Sequence, residues 1–193
     1  MNSSMRHPAR QVLYLAYGSN LHPQRLGARL SRCTLVARVE IADRRLDFSK
    51  RGRDGSGKCT LTELPGHTSF GALFQIPADQ IPLLDRIEGG YQRLSIGLDL
   101  DGKRQEGFTY LAEPALIETT LLPFDWYLAL VTLGARYLGL PPQYQQQLAI
   151  QQSRQDLRPE AEVSYQQIAP LDHPDHRRCQ HELLEAKLID WRI

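Results

Sequence analysis

Several residues of this chain are of types that do chemistry, and each must be weighed against the part it would play in an inert fold. The turn Tyr17, Gly18, Ser19, Asn20 follows an apolar run containing Tyr14, Leu15 and Ala16. Small residues at a strand end leave main-chain N–H groups facing outward, where they can hold a carboxylate, although such a turn by itself is ordinary. Glu88 shares a helical stripe with Ile81 and Leu84, which places a carboxylate on an apolar face. Desolvation there raises its pKa toward the range of a general acid or base. The competing readings are a helix-end carboxylate that reaches water past Gly89, or one paired with Arg93. Tyr110 and Tyr127 lie on apolar stripes, where most tyrosines pack with the hydroxyl at the edge.

Other patterns carry less. Gly52, Gly57 and Lys58 satisfy G-x-x-x-x-G-K, the core of a nucleotide-binding loop. That loop needs a helix directly after it and a Ser or Thr beside the Lys, whereas Cys59 follows and CTLTEL has the pattern of a strand. A solvated hairpin loop fits better. His173, His176, Cys179 and His181 form a local cluster of metal-ligand types, but Arg177 and Arg178 repel a cation and no second ligand pair follows, so no metal is expected. Ser19 lacks the nucleophile elbow, and Cys33, Cys59 and Cys179 stand in no nucleophile motif.

The elements that would position these residues follow from local periodicity. Residues 12–17 form a buried strand entering the Tyr17 turn, and Pro23 opens a short helix to about Leu30. Strands are expected at 35–41 and 46–48, then at 59–64 and 70–76 around the turn Pro65, Gly66. Residues 78–88 are helical, stopped by Gly89 and Gly90. Leu94, Ile96, Leu98 and Leu100 alternate with polar residues, as do Phe108 and Tyr110. Matching parity favours a three-residue hairpin loop, Asp101 to Lys103, with Ile96 opposite Phe108 and Leu94 opposite Tyr110. Residues 124–138 form the longest helix, ended by Gly139, and Pro141 and Pro142 start another to about Gln152. Residues 153–172 have no strong period, and 175–191 read as a final helix with Leu184, Leu188 and Trp191 aligned. Strands first and helices last indicate an α+β domain on a mostly antiparallel sheet or barrel.

The balance of 23 Lys and Arg against 22 Asp and Glu in 193 residues creates no global field for polyanions, so nucleic acid is not an expected partner. Three widely spaced cysteines suggest no disulfide framework. Residues 1–11 lack an apolar leader core, and no run approaches the roughly 18 apolar residues of a membrane span. A soluble cytoplasmic protein is expected, with a flexible segment 1–11, a domain over 12–152 and an extension over 153–193. Oligomeric state is not legible in these residues.

In their order, LYLAYGSNL, ARVEIADRRLDF, LDRIEGGYQR, GFTYL and PFDWYLALVTLGARYLGLPPQYQQQL resemble the γ-glutamylcyclotransferase family across residues 12–150. The resemblance implies a small mixed β-barrel with flanking helices and a cavity at the YGSN turn. It implies cyclisation of a γ-glutamyl compound to 5-oxoproline with release of an amine, needing no metal or cofactor. Glu88 would be the acid/base, and Tyr14, Leu15, Ala16, Tyr17, Gly18, Ser19 and Asn20 would line the glutamyl unit. Tyr127 would offer its hydroxyl, with Tyr110 a neighbour. Residues 50–66 and 153–193 depart from the family pattern, leaving the substrate open among γ-glutamyl amino acids, γ-glutamylamines and a biosynthetic intermediate. YGSN in place of YGSL argues against the glutathione-specific branch. A binding module of the same fold without turnover is the rival reading, and a nucleotide-binding protein a further one.

Overall fold

Across residues 10–172 and 183–190, those described by this computed structural model, the apolar runs form a closed barrel. Its strands are β1 (Gln11–Ala16), β2 (Thr34–Arg51), β3 (Gly57–Pro77), β4 (Tyr91–Leu100), β5 (Lys103–Ala112) and β6 (Leu184–Asp190). They follow each other around the barrel as β1, β3, β2, β6, β4, β5. Only the pairings of β1 with β5 and of β2 with β6 are parallel, so the barrel is mixed and mostly antiparallel, as expected. Flanking it are α1 (Pro23–Arg29), α2 (Ile81–Ile87), α3 (Asp125–Tyr137), α4 (Pro142–Ala149) and α5 (Ala161–Tyr165). Leu15, Ile41, Leu73, Phe74, Leu84, Leu98 and Leu130 are fully buried in one core.

Several sequence expectations are corrected. The paired runs on either side of residues 43–45 and of Pro65, Gly66 are not separate strands, because β2 and β3 each continue through them. The register slips instead between Ala42 and Arg44, where Asp43 and Gly66 both have positive φ, 54° and 78°, and the Gly66 N–H donates to Asp43 Oδ1 at 2.8 Å. The turn chemistry was real, but it makes a bulge that bends a long ribbon.

The β4–β5 hairpin has a two-residue loop, with Leu100 opposite Lys103 and Ser95 opposite Phe108. Asp101 and Gly102 both have positive φ, 52° and 70°, the geometry of a tight primed turn. Matching parity does not set the register here, because the second half of β5 is buried on both faces: Phe108, Thr109, Tyr110 and Leu111 are all inside. Opposing Phe108 to the polar Ser95 then leaves Phe108 buried.

The expected tail helix is instead β6 over its described part, pairing with β2 through Ala37↔Leu184 and with β4 through Leu100↔Ala186. Leu184 and Leu188 suit a helical stripe, but Leu184, Ala186 and Leu188 equally suit a strand, and two open barrel edges decide between them. Residues 153–172 are not featureless: they contain α5, and Asp156 accepts from Trp126 Nε1 at 2.8 Å, latching the segment onto α3. The His173, His176, Cys179 and His181 cluster lies outside the described residues. No helix among those described is long and apolar enough to cross a membrane.

Candidate active site

β1 ends at Ala16, and the chain turns through Tyr17 to Asn20, closed by the Leu21 N–H donating to the Gly18 carbonyl at 3.0 Å. The main-chain N–H groups of Gly18, Ser19 and Asn20 have no acceptor among the described residues. α3 crosses against this turn at Gly134, where a Cβ would lie 2.5 Å from that of Leu21. That close approach brings the Tyr127 hydroxyl to the turn, where it accepts from the Cys59 N–H at 3.2 Å.

Glu88 is the residue that ends α2, its N–H donating to the Leu84 carbonyl at 2.9 Å. Its side chain is 16% exposed, so it neither escapes into water nor pairs with Arg93, which bonds Asp85 at 2.8 Å. Asn20 Nδ2 donates to Glu88 Oε1 at 2.8 Å and lies 3.1 Å from the Tyr14 hydroxyl, while Asn20 Oδ1 accepts from Arg29 at 3.0 Å. Arg29 itself stands 3.8 Å from Glu88. Burial pushes the Glu88 carboxyl above its ordinary pKa, opposed by Arg29, the Asn20 hydrogen bond, Lys50 and Arg25. A carboxylate so placed is held ionisable, yet is readily reprotonated.

Tyr14, Tyr17, Gly18, Ser19, Asn20, Cys59, Glu88, Tyr91, Tyr110 and Tyr127 enclose a cavity of about 30 Å³. It shares Ser19, Glu88, Tyr91 and Tyr127 with a second cavity of about 280 Å³, so the two make one recess with Glu88 in the dividing wall.

A profile of the AIG2-like family matches residues 68–148. A γ-glutamylcyclotransferase of Bos taurus is 27% identical over 143 residues, 70% of this chain and 76% of its own, and the Homo sapiens protein of that name matches to the same extent. A solved γ-glutamyl cyclotransferase structure superposes with a TM-score of 0.73 at 23% identity, covering 83% of this chain and 99% of that one. In sequence the chain is similar to the AIG2-like family and to γ-glutamylcyclotransferases, and it shares the fold of a γ-glutamyl cyclotransferase.

The residues singled out by sequence are not equally placed. Tyr14, Tyr17, Gly18, Ser19, Asn20, Glu88, Tyr110 and Tyr127 converge on the small cavity, whereas Leu15 and Ala16 are buried in the barrel wall and do not line it. The Tyr17 hydroxyl donates to the Tyr110 carbonyl at 2.5 Å and that of Tyr110 to Asp85 at 2.6 Å, so the protein already takes up both protons. Cys59 lines it too, but burial pushes its thiol up to about 12, which leaves no thiolate nucleophile at neutral pH.

Sequence reasoning missed Arg25, Arg29, Lys50 and Tyr91. Arg25 and Arg29 sit one turn apart on α1, directly after the YGSN turn, and that spacing was the available signal. The segment 50–58 was expected to be a solvated loop, but Lys50 and Ser56 are buried, and Lys58 is wedged 4.7 Å from the Trp126 ring and 4.5 Å from that of Tyr127. Its amides do not form a phosphate cradle. Gly52 N–H donates to the Ser56 carbonyl, Ser56 N–H to Asp54 and Gly57 N–H to the Leu122 carbonyl, and β3 rather than a helix follows.

Proposed function

We propose that the protein is a γ-glutamylcyclotransferase: the α-amine of a γ-glutamyl compound attacks its own γ-carbonyl, the amide C–N bond breaks, and 5-oxoproline and a free amine leave. The observation that carries this reading is Glu88, desolvated at the end of α2 and hydrogen-bonded by Asn20 of the YGSN turn at 2.8 Å. The free N–H groups of Gly18, Ser19 and Asn20 suit the substrate α-carboxylate. The small cavity has room for only a few waters on its own, so the glutamyl chain would extend past Glu88 into the larger one.

In this scheme Glu88 takes a proton from the α-ammonium, the freed nitrogen closes the five-membered ring, and Glu88 returns the proton to the departing amine. One carboxylate serves both steps because it faces both cavities. Ring closure is intramolecular, so holding the glutamyl chain folded supplies much of the acceleration. Tyr127, whose hydroxyl accepts the Cys59 N–H at 3.2 Å, lines the small cavity and would face the substrate there.

The test is 5-oxoproline release by the purified protein from γ-glutamyl amino acids and amines, with Glu88→Gln beside it. The variant should bind substrate but lose about two to four orders of magnitude in kcat. Retention of more than about a tenth of the activity, a loss under about 1.4 kcal/mol, would assign the proton transfer to another group.

A further inference from the structure

The larger cavity carries more positive charge than its walls neutralise. Arg25, Arg29, Lys50, Arg53 and Lys58 line it, against the carboxylates Asp54 and Glu88. Lys58 is paired with Asp54 at 2.7 Å, and Arg29 stands 3.8 Å from Glu88. Arg25, Lys50 and Arg53 have no carboxylate within ion-pair distance among the described residues.

Two of these three cations are buried. Arg25 is 7% exposed, its Nε has no partner among the described residues, and NH1 bonds only the neutral Gln167 amide. Lys50 is 5% exposed, donates to the Gly89 carbonyl at 3.0 Å and lies 4.6 Å from the Tyr91 ring. A buried cation without a counter-charge is costly to the fold, and an anion delivered by a ligand offsets that cost. The consequence already shows in the protein alone: burial, with Arg29 nearby, lowers the Arg25 pKa to about 9, and burial lowers that of Lys50.

Position decides which part of the ligand supplies the anion. With the glutamyl α-carboxylate at the YGSN turn and Glu88 between the two cavities, the departing amine must lie on the far side of Glu88, because the same carboxylate protonates it. Resting on the cyclotransferase reading, we propose that the larger cavity is the leaving-group subsite and selects leaving groups that carry carboxylates, a dicarboxylic amino acid above a neutral one and both above a simple amine. One carboxylate of an amino-acid leaving group answers one of the three unpaired cations, and a second answers another. A neutral alkylamine answers none.

The test compares kcat/KM for γ-glutamyl-glutamate, γ-glutamyl-glutamine and γ-glutamyl-n-butylamine in low-salt buffer. We expect the order just given, with about ten-fold or more between the first and the last. Arg53→Gln, a change at an exposed side chain that should fold normally, should shrink the glutamate-to-glutamine ratio, and Lys50→Gln should shrink it further. Equal values for the three compounds, or the reverse order, would overturn the proposal while leaving the cyclotransferase reading intact. If none releases 5-oxoproline, calorimetric affinities of the same compounds for Glu88→Gln decide. The same order there supports an anion-selective subsite although the cyclotransferase reading falls, and equal or absent binding sinks the subsite as well.

Discussion

At the scale of single residues, the working state of Glu88 is set by opposing neighbours, and their removal has a predictable sign. Burial raises its pKa, while Arg29 first and then Asn20 lower it. The base form is needed to accept the substrate proton, so activity holds above that pKa and is lost as pH falls through it. The acidic limb of the kcat/KM profile should therefore lie above the ordinary glutamate value of about 4.3. Asn20→Ala and Arg29→Gln each remove a group that favours the carboxylate and should move the limb to higher pH, Arg29→Gln further. A limb that stays in place in both variants would detach Glu88 from it. Stability obeys the same linkage with its own sign. A carboxyl whose pKa is raised on folding favours the fold below that pKa and burdens it above. Glu88→Gln removes the burden, so its melting temperature at pH 7 should exceed wild type by a few degrees, and the gain should vanish near pH 4. Calorimetry at the two pH values checks this. A variant less stable than wild type at pH 7 would show that the hydrogen bonds of the carboxylate outweigh its desolvation.

At the scale of elements, the site depends on closure of the barrel more than on any flanking helix. β4 carries Tyr91 and lies beside β6, which also pairs with β2, the strand that carries Lys50. Removing residues 184–193 leaves one edge of β2 and one of β4 unpaired and uncovers the part of the core against which Ala186, 3% exposed, packs. We expect a melting temperature lower by about 10 °C or more, or an insoluble product. Equal stability and activity in the truncated chain would show that β6 is dispensable to the site. The hairpin loop and the tail strand escape local periodicity for two different reasons. Alternation reports which face of a strand is buried only when the other face meets water, and β5 is buried on both sides over residues 108–111. Leu184 and Leu188 satisfy two periods at once, and only the empty edges of β2 and β4 select one.

At the scale of the whole molecule, a net charge of +1 conceals a recess where cations outnumber carboxylates. Charge of this kind draws small anions, but in the loop 52–57 the amides of Gly52, Gly55, Ser56 and Gly57 are bonded within the protein, and no cradle for phosphates is formed. Thermal shift separates these properties: millimolar 5-oxoproline should raise the melting temperature, while ATP with magnesium at 0.15 M salt (about an 8 Å screening length) should leave it unchanged. The opposite pattern would restore the nucleotide reading. What the sequence determined by itself was local. It carried the strand at residues 12–17, the turn chemistry of Gly18 to Asn20, the helix stops at Gly89 and Gly139, and the apolar stripe beneath Glu88, because periodicity and turn preference depend on near neighbours in the chain. Only the tertiary structure decided that Asn20 meets Glu88, that the tail is a strand, and that α1, the end of β2 and the following hairpin bring Arg25, Arg29, Lys50, Arg53 and Lys58 to one cavity. Those outcomes rest on contacts between segments far apart in sequence, where the partner of an edge or of a charge leaves no periodic trace in the residues that await it.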